Sequence, residues 1–169
     1  IRRQRQMCIR DREKITIYTI SDFFLSKRAL TPKKLQKLVY YAYAWFIALN
    51  NQSAEEIESV LFEEAPEAWV HGPVFPSLYA KYKGYCWQEI EKNYKPINIK
   101  NEDLVRFLNA IWDTFGNFSA DELEYMTHQE EPWKNARFGV SPIEPSCNKI
   151  SEKDIFIYCL LYTSPSPRD

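Results

Sequence analysis

A chain of 169 residues that is 45% apolar and 15% aromatic has the material for one domain with a real core, and its composition excludes disorder. The formal net charge of −1 lacks the cationic excess of a nucleic-acid binder. The longest apolar run, 38–49, falls short of the roughly 20 residues a bilayer crossing needs.

In chain order, the first segment stands apart. Residues 1–12 hold five Arg and no Lys, with no apolar stretch or small-residue cleavage site of the kind a signal peptide carries. With no span and no leader in view, the expected compartment is the cytoplasm. The end, 159–169, closes on Thr-Ser-Pro-Ser-Pro-Arg-Asp, a disordered composition set directly after a helical pattern. Back-translation links the two ends. Met7-Cys8-Ile9-Arg10-Asp11 can be written ATG TGT ATA AGA GAC, and Cys159 to Ser164 can be written TGT CTC TTA TAC ACA TCT. Each string largely contains the reverse complement of the other. Both ends therefore resemble translated library adapters, and the expected division is an adapter-derived tail over 1–12, a native domain over 13–158 and a second adapter-derived tail over 159–169. Without Arg2, Arg3, Arg5, Arg10, Arg12 and Arg168 the 22 basic residues fall to 16. Without Asp11 and Asp169 the 23 acidic residues fall to 21, so the domain itself carries a net charge of −5. Binding to nucleic acid by this domain alone is not expected.

The spacing of Ile17, Ile20 and Phe24 predicts a first helix over 17–27. Thr31 is a good N-cap and Pro32 suits the first helical position, where its missing N–H costs nothing. From there Leu35, Leu38, Val39, Ala42, Phe46 and Leu49 recur at helical spacing, and Tyr40, Tyr43 and Ile47 widen the apolar surface, so this helix is expected to be central and to end at Asn50-Asn51. Pro66, Gly72 and Pro73 interrupt 61–75 and predict short extended segments or a small hairpin. A short helix over 76–83 is expected to close on Gly84. Asn101 should cap a helix that Gly116 stops after Phe115, and Ser119 with Glu122 forms the capping box of the next, through about Thr127. A turn is expected at 133–137, and Ser151 caps a last helix that the second adapter segment cuts short. The fold class read from this order is mainly α: a compact single-domain helical bundle with a small β or extended element around residues 61–75.

Catalytic groups are sparse. His71 and His128 are the two histidines, and no G-x-S-x-G or cysteine-nucleophile motif occurs. A metal site would need both histidines with a carboxylate such as Glu130, and no i, i+4 His pair suggests one. The expected roles are a hydrogen-bonded turn for His71 and a cationic ring near a helix C-terminus for His128. Gly72, Gly84, Gly116 and Gly139 are isolated, so no glycine-rich phosphate loop exists. The cysteines, Cys8, Cys86, Cys147 and Cys159, include no CxxC pair, which favours free thiols over zinc or disulfides. No catalytic residue, no metal and no cofactor is expected, and the chain reads as a binding module. Five Trp, eleven Tyr and ten Phe supply rings for a bulky core and for a partner surface alike.

Three segments carry a family resemblance. The first is Leu30-Thr31-Pro32-Lys33-Lys34-Leu35-Gln36-Lys37-Leu38-Val39-Tyr40-Tyr41-Ala42. The second is Glu67-Ala68-Trp69-Val70-His71-Gly72-Pro73-Val74-Phe75-Pro76-Ser77-Leu78-Tyr79, with Tyr82-Lys83-Gly84-Tyr85 close behind. The third runs from Leu123 through Thr127-His128 to Pro132-Trp133-Lys134-Asn135-Ala136. In this order and spacing they resemble the Panacea domain, the SocA-like antitoxin or phage-associated GepA-like family, over about 17–158. Asn135 replaces a more usual acidic or small residue, and the stretch 87–101 is ordinary loop sequence. The resemblance implies a small helical antitoxin of a toxin–antitoxin system that neutralises a cognate toxin protein by direct contact. Its alternative is a phage-borne adaptor or anti-defence protein that binds a host factor or presents a toxin to an ATP-dependent protease, with a protease or chaperone as further partner. Partner-contact candidates are Tyr40, Trp69, His71, Tyr79, Tyr82, Lys83, Tyr85, His128 and Trp133. Thr31, Pro32, Leu35, Gln36, Leu38, Gly72, Pro73 and Gly84 are expected to hold the motif's shape.

Overall fold

In a computed structural model that describes residues 14–163, the helix α2 (Pro32–Asn50) runs through the centre of one helical domain. Its neighbours are α1 (Ile17–Lys27), a hairpin of β1 (Glu67–Trp69) and β2 (Gly72–Val74), α3 (Pro76–Tyr82), α4 (Glu102–Phe115), α5 (Ala120–His128), α6 (Glu131–Ala136) and α7 (Glu152–Thr163). All of these except α6 and β1 pack directly on α2, which is why it is apolar nearly all round. Leu35, Leu38, Val39, Ala42, Tyr43 and Ile47 are fully buried. Each large apolar side chain of this kind contributes roughly 1.5–3 kcal/mol through burial.

The helix starts follow local chemistry. Thr16 and Thr19 form a reciprocal capping box at α1, and Thr31 Oγ1 accepts from Lys34 N at 3.3 Å at α2. Asn101 Oδ1 accepts from Asp103 N and Leu104 N, and Ser119 with Glu122 completes the capping box of α5. Ser151 Oγ accepts from Asp154 N at the start of α7.

Two boundaries differ from the sequence reading. Helix α3 does not close on Gly84. The chain tightens into a 3-10 turn, Lys83–Tyr85, that runs through Gly84, and the left-handed residue is Cys86 at φ 53°. The turn expected at 133–137 is the helix α6, with Pro132 in its first turn and Arg137 as its C-cap.

The hairpin register pairs Glu67 with Val74, Ala68 with Pro73 and Trp69 with Gly72. Its outer edge is partly covered: Ala68 N donates to Asn148 O at 2.8 Å and Ile150 N to Pro66 O at 2.9 Å. Leu30 and Ile90 exchange backbone hydrogen bonds across a second short bridge that ties the loop after α3 to the α1–α2 connection.

Residues 1–13 and 164–169 lie outside the described residues, so most of the two adapter-like segments is not seen. The stretch 159–163 is seen: α7 continues through it, and Cys159 is 3% exposed with its Sγ 4.0 Å from Ala44 O. The junction expected between Tyr158 and Cys159 therefore falls inside a packed helix. Among the described residues, no helix is long and apolar enough to cross a membrane.

Candidate protein-binding face and its polar centre

The three motif segments, far apart in sequence, meet around the N-terminal half of α2. Gln36 uses both ends of its amide on one residue of the chain after β2. Its Nε2 donates to Phe75 O at 3.1 Å, and Phe75 N donates to its Oε1 at 2.9 Å. This pairing satisfies backbone groups that the two-residue hairpin cannot. One position on, Lys37 is 1% exposed and its Nζ donates to Pro73 O at 3.1 Å. Burial pushes the Lys37 ammonium down to about 7, with the Glu124 charge opposing the shift.

Gly72 makes that arrangement possible. It sits at φ +103°, and a Cβ there would lie 2.7 Å from Lys37 Cε and 2.8 Å from Thr127 Oγ1. The hairpin tip thus presses its backbone directly onto α2 and α5.

A charged cluster borders this contact. Glu124 pairs with Lys33, and its Oε1 accepts from His71 Nδ1 at 2.9 Å. Lys33 also reaches Asp121 Oδ1 at 2.7 Å. Burial alone would disfavour the Glu124 carboxylate, but hydrogen bonds from Lys33 and His71 outweigh it and hold its pKa below the ordinary value. Lys33 shows the converse: burial works against its charge, and Asp121 and Glu124 raise it nonetheless.

His128 ends α5 as expected, but its surroundings work against the cationic form anticipated there. Burial lowers its pKa in spite of Glu124, and its ring stacks on Trp133 at 4.1 Å. Trp133 Nε1 in turn donates to Trp69 O at 2.9 Å, and Trp69 meets Tyr79 edge-on at 4.9 Å. Beneath them Arg137, 5% exposed, donates to Ala68 O, Ser141 O and Glu144 O, joining the hairpin, α6 and the following loop.

Beside the charged cluster opens an aromatic cleft of about 330 Å³, walled by Trp69, Val74, Leu78, Tyr79 and Tyr82, with Gln36 and Lys37 at its α2 side. Of the candidates for partner contact, His71, Tyr79, Lys83 and Tyr85 are exposed, and Trp69, His128 and Trp133 are half-buried; Trp69, His71 and Tyr79 line the cleft, whereas His128, Trp133, Lys83 and Tyr85 do not. Tyr82 is 8% exposed and lines the cleft. Tyr40 is 2% exposed, in the core, and lines a different cavity further along α2. Sequence reasoning did not single out Lys37, Glu124, Thr127 or Arg137. A signal existed for Lys37, which sits in one helical row with Tyr41, Ala44 and Ala48, an apolar stripe that foretells burial. Glu124 and Arg137 acquire their partners through long-range contacts that no local pattern announces.

Among the described residues, no group of three or more His, Cys, Asp or Glu side chains is placed to hold a metal ion. No curated protein and no solved structure matches the chain. One family model does, that of the antitoxin SocA-like, Panacea domain, over residues 35–134. The match takes in the buried Gln36 and Lys37, the Gly72 hairpin and the Glu124–His128–Trp133 group, and is shorter than the 17–158 expected from the motifs. With most of its length so matched, the chain belongs to the SocA-like antitoxin family with a Panacea domain.

Proposed function

We propose that the chain is an antitoxin that neutralises a cognate toxin by direct protein–protein contact, through the face around the aromatic cleft. The observation that supports this reading is the meeting of all three family motifs around the N-terminal half of α2, where Trp69 and Tyr79 line an open aromatic cleft beside the Lys33–Glu124–His71 cluster. Rings of this kind, with a polar rim, are what partner surfaces enrich. Binding, not turnover, is the activity proposed, since His71 and His128 are absorbed by Glu124 and Trp133.

The test is growth rescue when the chain is expressed with the toxic product of its neighbouring gene. Rescue is expected from the parent, from His71→Ala and from His128→Ala. It should fail for Tyr79→Ala, whose lost ring should cost roughly 2 kcal/mol or more of binding, with folding of each variant checked by circular dichroism. Loss of rescue by both histidine variants with retention by Tyr79→Ala would reopen a chemical role for the imidazoles. Rescue that disappears in a host lacking its ATP-dependent protease would replace the inhibitor with a protease adaptor.

A further inference from the structure

Further along α2 lies a second cavity, of about 260 Å³, between α2, α5, the start of α6 and α7. Its lining is aromatic, with Tyr41, Trp45, Phe115 and Tyr125 among the walls, and it holds one acidic side chain, Glu130. Glu130 is 7% exposed, and Tyr41 Oη donates to its Oε2 at 2.8 Å. Among the described residues, no Lys, Arg or His lies within ion-pairing distance of it. A buried carboxylate with one neutral donor is costly unless it takes up a proton or a cation joins it. Tyr41 is itself backed by Phe115, stacked at 4.1 Å and 4° between planes, so its position is fixed.

We propose that this cavity binds an organic ammonium ion, held between the Glu130 carboxylate and the faces of the surrounding aromatic rings. The ring quadrupoles attract a cation and the carboxylate supplies the counter-charge, while the apolar walls accept its alkyl groups. The volume suits a small head group, not a nucleotide or a long chain. Cys159 and Tyr162 close the α7 side and belong to the segment with adapter-like coding, whereas Glu130, Tyr41, Trp45, Phe115 and Tyr125 do not. The site's charge and most of its walls thus belong to the domain.

Glu130 is also the group here that titrates near neutrality. Burial pushes its carboxyl up to about 7, whereas Tyr40 and Tyr41 on α2 and Tyr158 on α7 are raised above 10, and Cys159 is raised to about 12. An ammonium ligand that needs the carboxylate should therefore bind more weakly as pH falls from about 8 to about 5.

Isothermal titration calorimetry on the full chain, with tetramethylammonium as probe and tert-butanol as its neutral counterpart, tests the site. Saturable binding of the ammonium at least about tenfold tighter than the alcohol is expected. Glu130→Gln should lose about tenfold in affinity, and Tyr125→Ala, at the exposed rim, about threefold. Choline and an acetylated trimethyl-lysine amide run alongside separate the two sources of such a head group, and tighter binding of either supports the site. Absence of saturable ammonium binding, equal binding of the alcohol, or full affinity in a folded Glu130→Gln variant would overturn the proposal.

Discussion

Gly72 has little freedom to change, for two independent reasons. Its φ of +103° is one that residues with a Cβ rarely adopt, and the space where that Cβ would go is filled by Lys37 and Thr127. Lys37 cannot swing away cheaply, because its ammonium would leave Pro73 O and has no open water beside it. Gly72→Val is expected to lower unfolding stability by about 3 kcal/mol or more, strain and steric clash adding together. Urea unfolding checks it, and a Gly72→Val variant as stable as the parent would show that the hairpin tip is not constrained by this contact. The importance of Gly72 was legible in sequence, since a Gly-Pro pair between extended residues asks for a tight turn. The buried lysine beneath it was legible only in part. Lys37 shares a helical row with Tyr41, Ala44 and Ala48, which foretells its burial, but its partner Pro73 O arrives with the hairpin, which no local pattern announces.

At the scale of elements, legibility follows how local the determining chemistry is. The starts of α1, α2, α4, α5 and α7 lie where capping side chains set them, because a cap acts within three residues. Helix α6 reads as a turn in sequence because six residues leave too few positions to display a period, and its anchors, Trp133 to Trp69 O and Arg137 to Ala68 O, are long-range. Gly84 misled in the other direction: a glycine after a short helix suggests a left-handed stop, but the chain turns at Cys86 instead. Helix α7 carries a direct test of the domain limits. Deleting 1–12 and 164–169, whose coding resembles an adapter, is expected to leave the melting temperature unchanged. Ending the chain after Tyr158 removes Cys159 from the core and shortens α7, and should lower it by several degrees, roughly 1–2 kcal/mol of stability. Differential scanning calorimetry of both truncations decides. A large drop in the first would show that the terminal segments fold with the domain, and no drop in the second would show that the end of α7 does not.

For the whole molecule, Lys37 and Glu130 imprint an unusual dependence of stability on pH. Lys37 is buried on α2 and Glu130, the N-cap of α6, is buried against it in a separate cluster, and burial disfavours the charged form of each. Glu130 ionises near 4.5 when unfolded and at about 7 when folded. Between those values the unfolded chain loses its proton first, so stability falls as pH rises through that window. Lys37 has the complementary pattern, with 10.5 as its ordinary value and about 7 when folded. Between 7 and 10.5 the unfolded chain holds the extra proton, so stability climbs as pH rises, and below 7 the full cost of burying the charge is present. The two limbs meet in a trough near neutral pH, on the order of 3 kcal/mol deep for Glu130 and about 5 kcal/mol for Lys37. Glu124 bounds the acid side: its lowered pKa stabilises the fold above the ordinary carboxylate range, and that contribution is lost as pH falls below it. Urea unfolding across pH is expected to show two maxima flanking this trough. Glu130→Gln should flatten the limb below neutrality and leave the alkaline limb, and Lys37→Met should do the reverse. The two groups have no shared partner, so the double variant should show both effects added. A single maximum at neutral pH in the parent would show that neither group carries the cost assigned to it. An ammonium ligand bound at Glu130 would favour the ionised carboxylate, so tetramethylammonium should raise the Glu130 limb of the trough in the parent and move the Glu130→Gln curve much less.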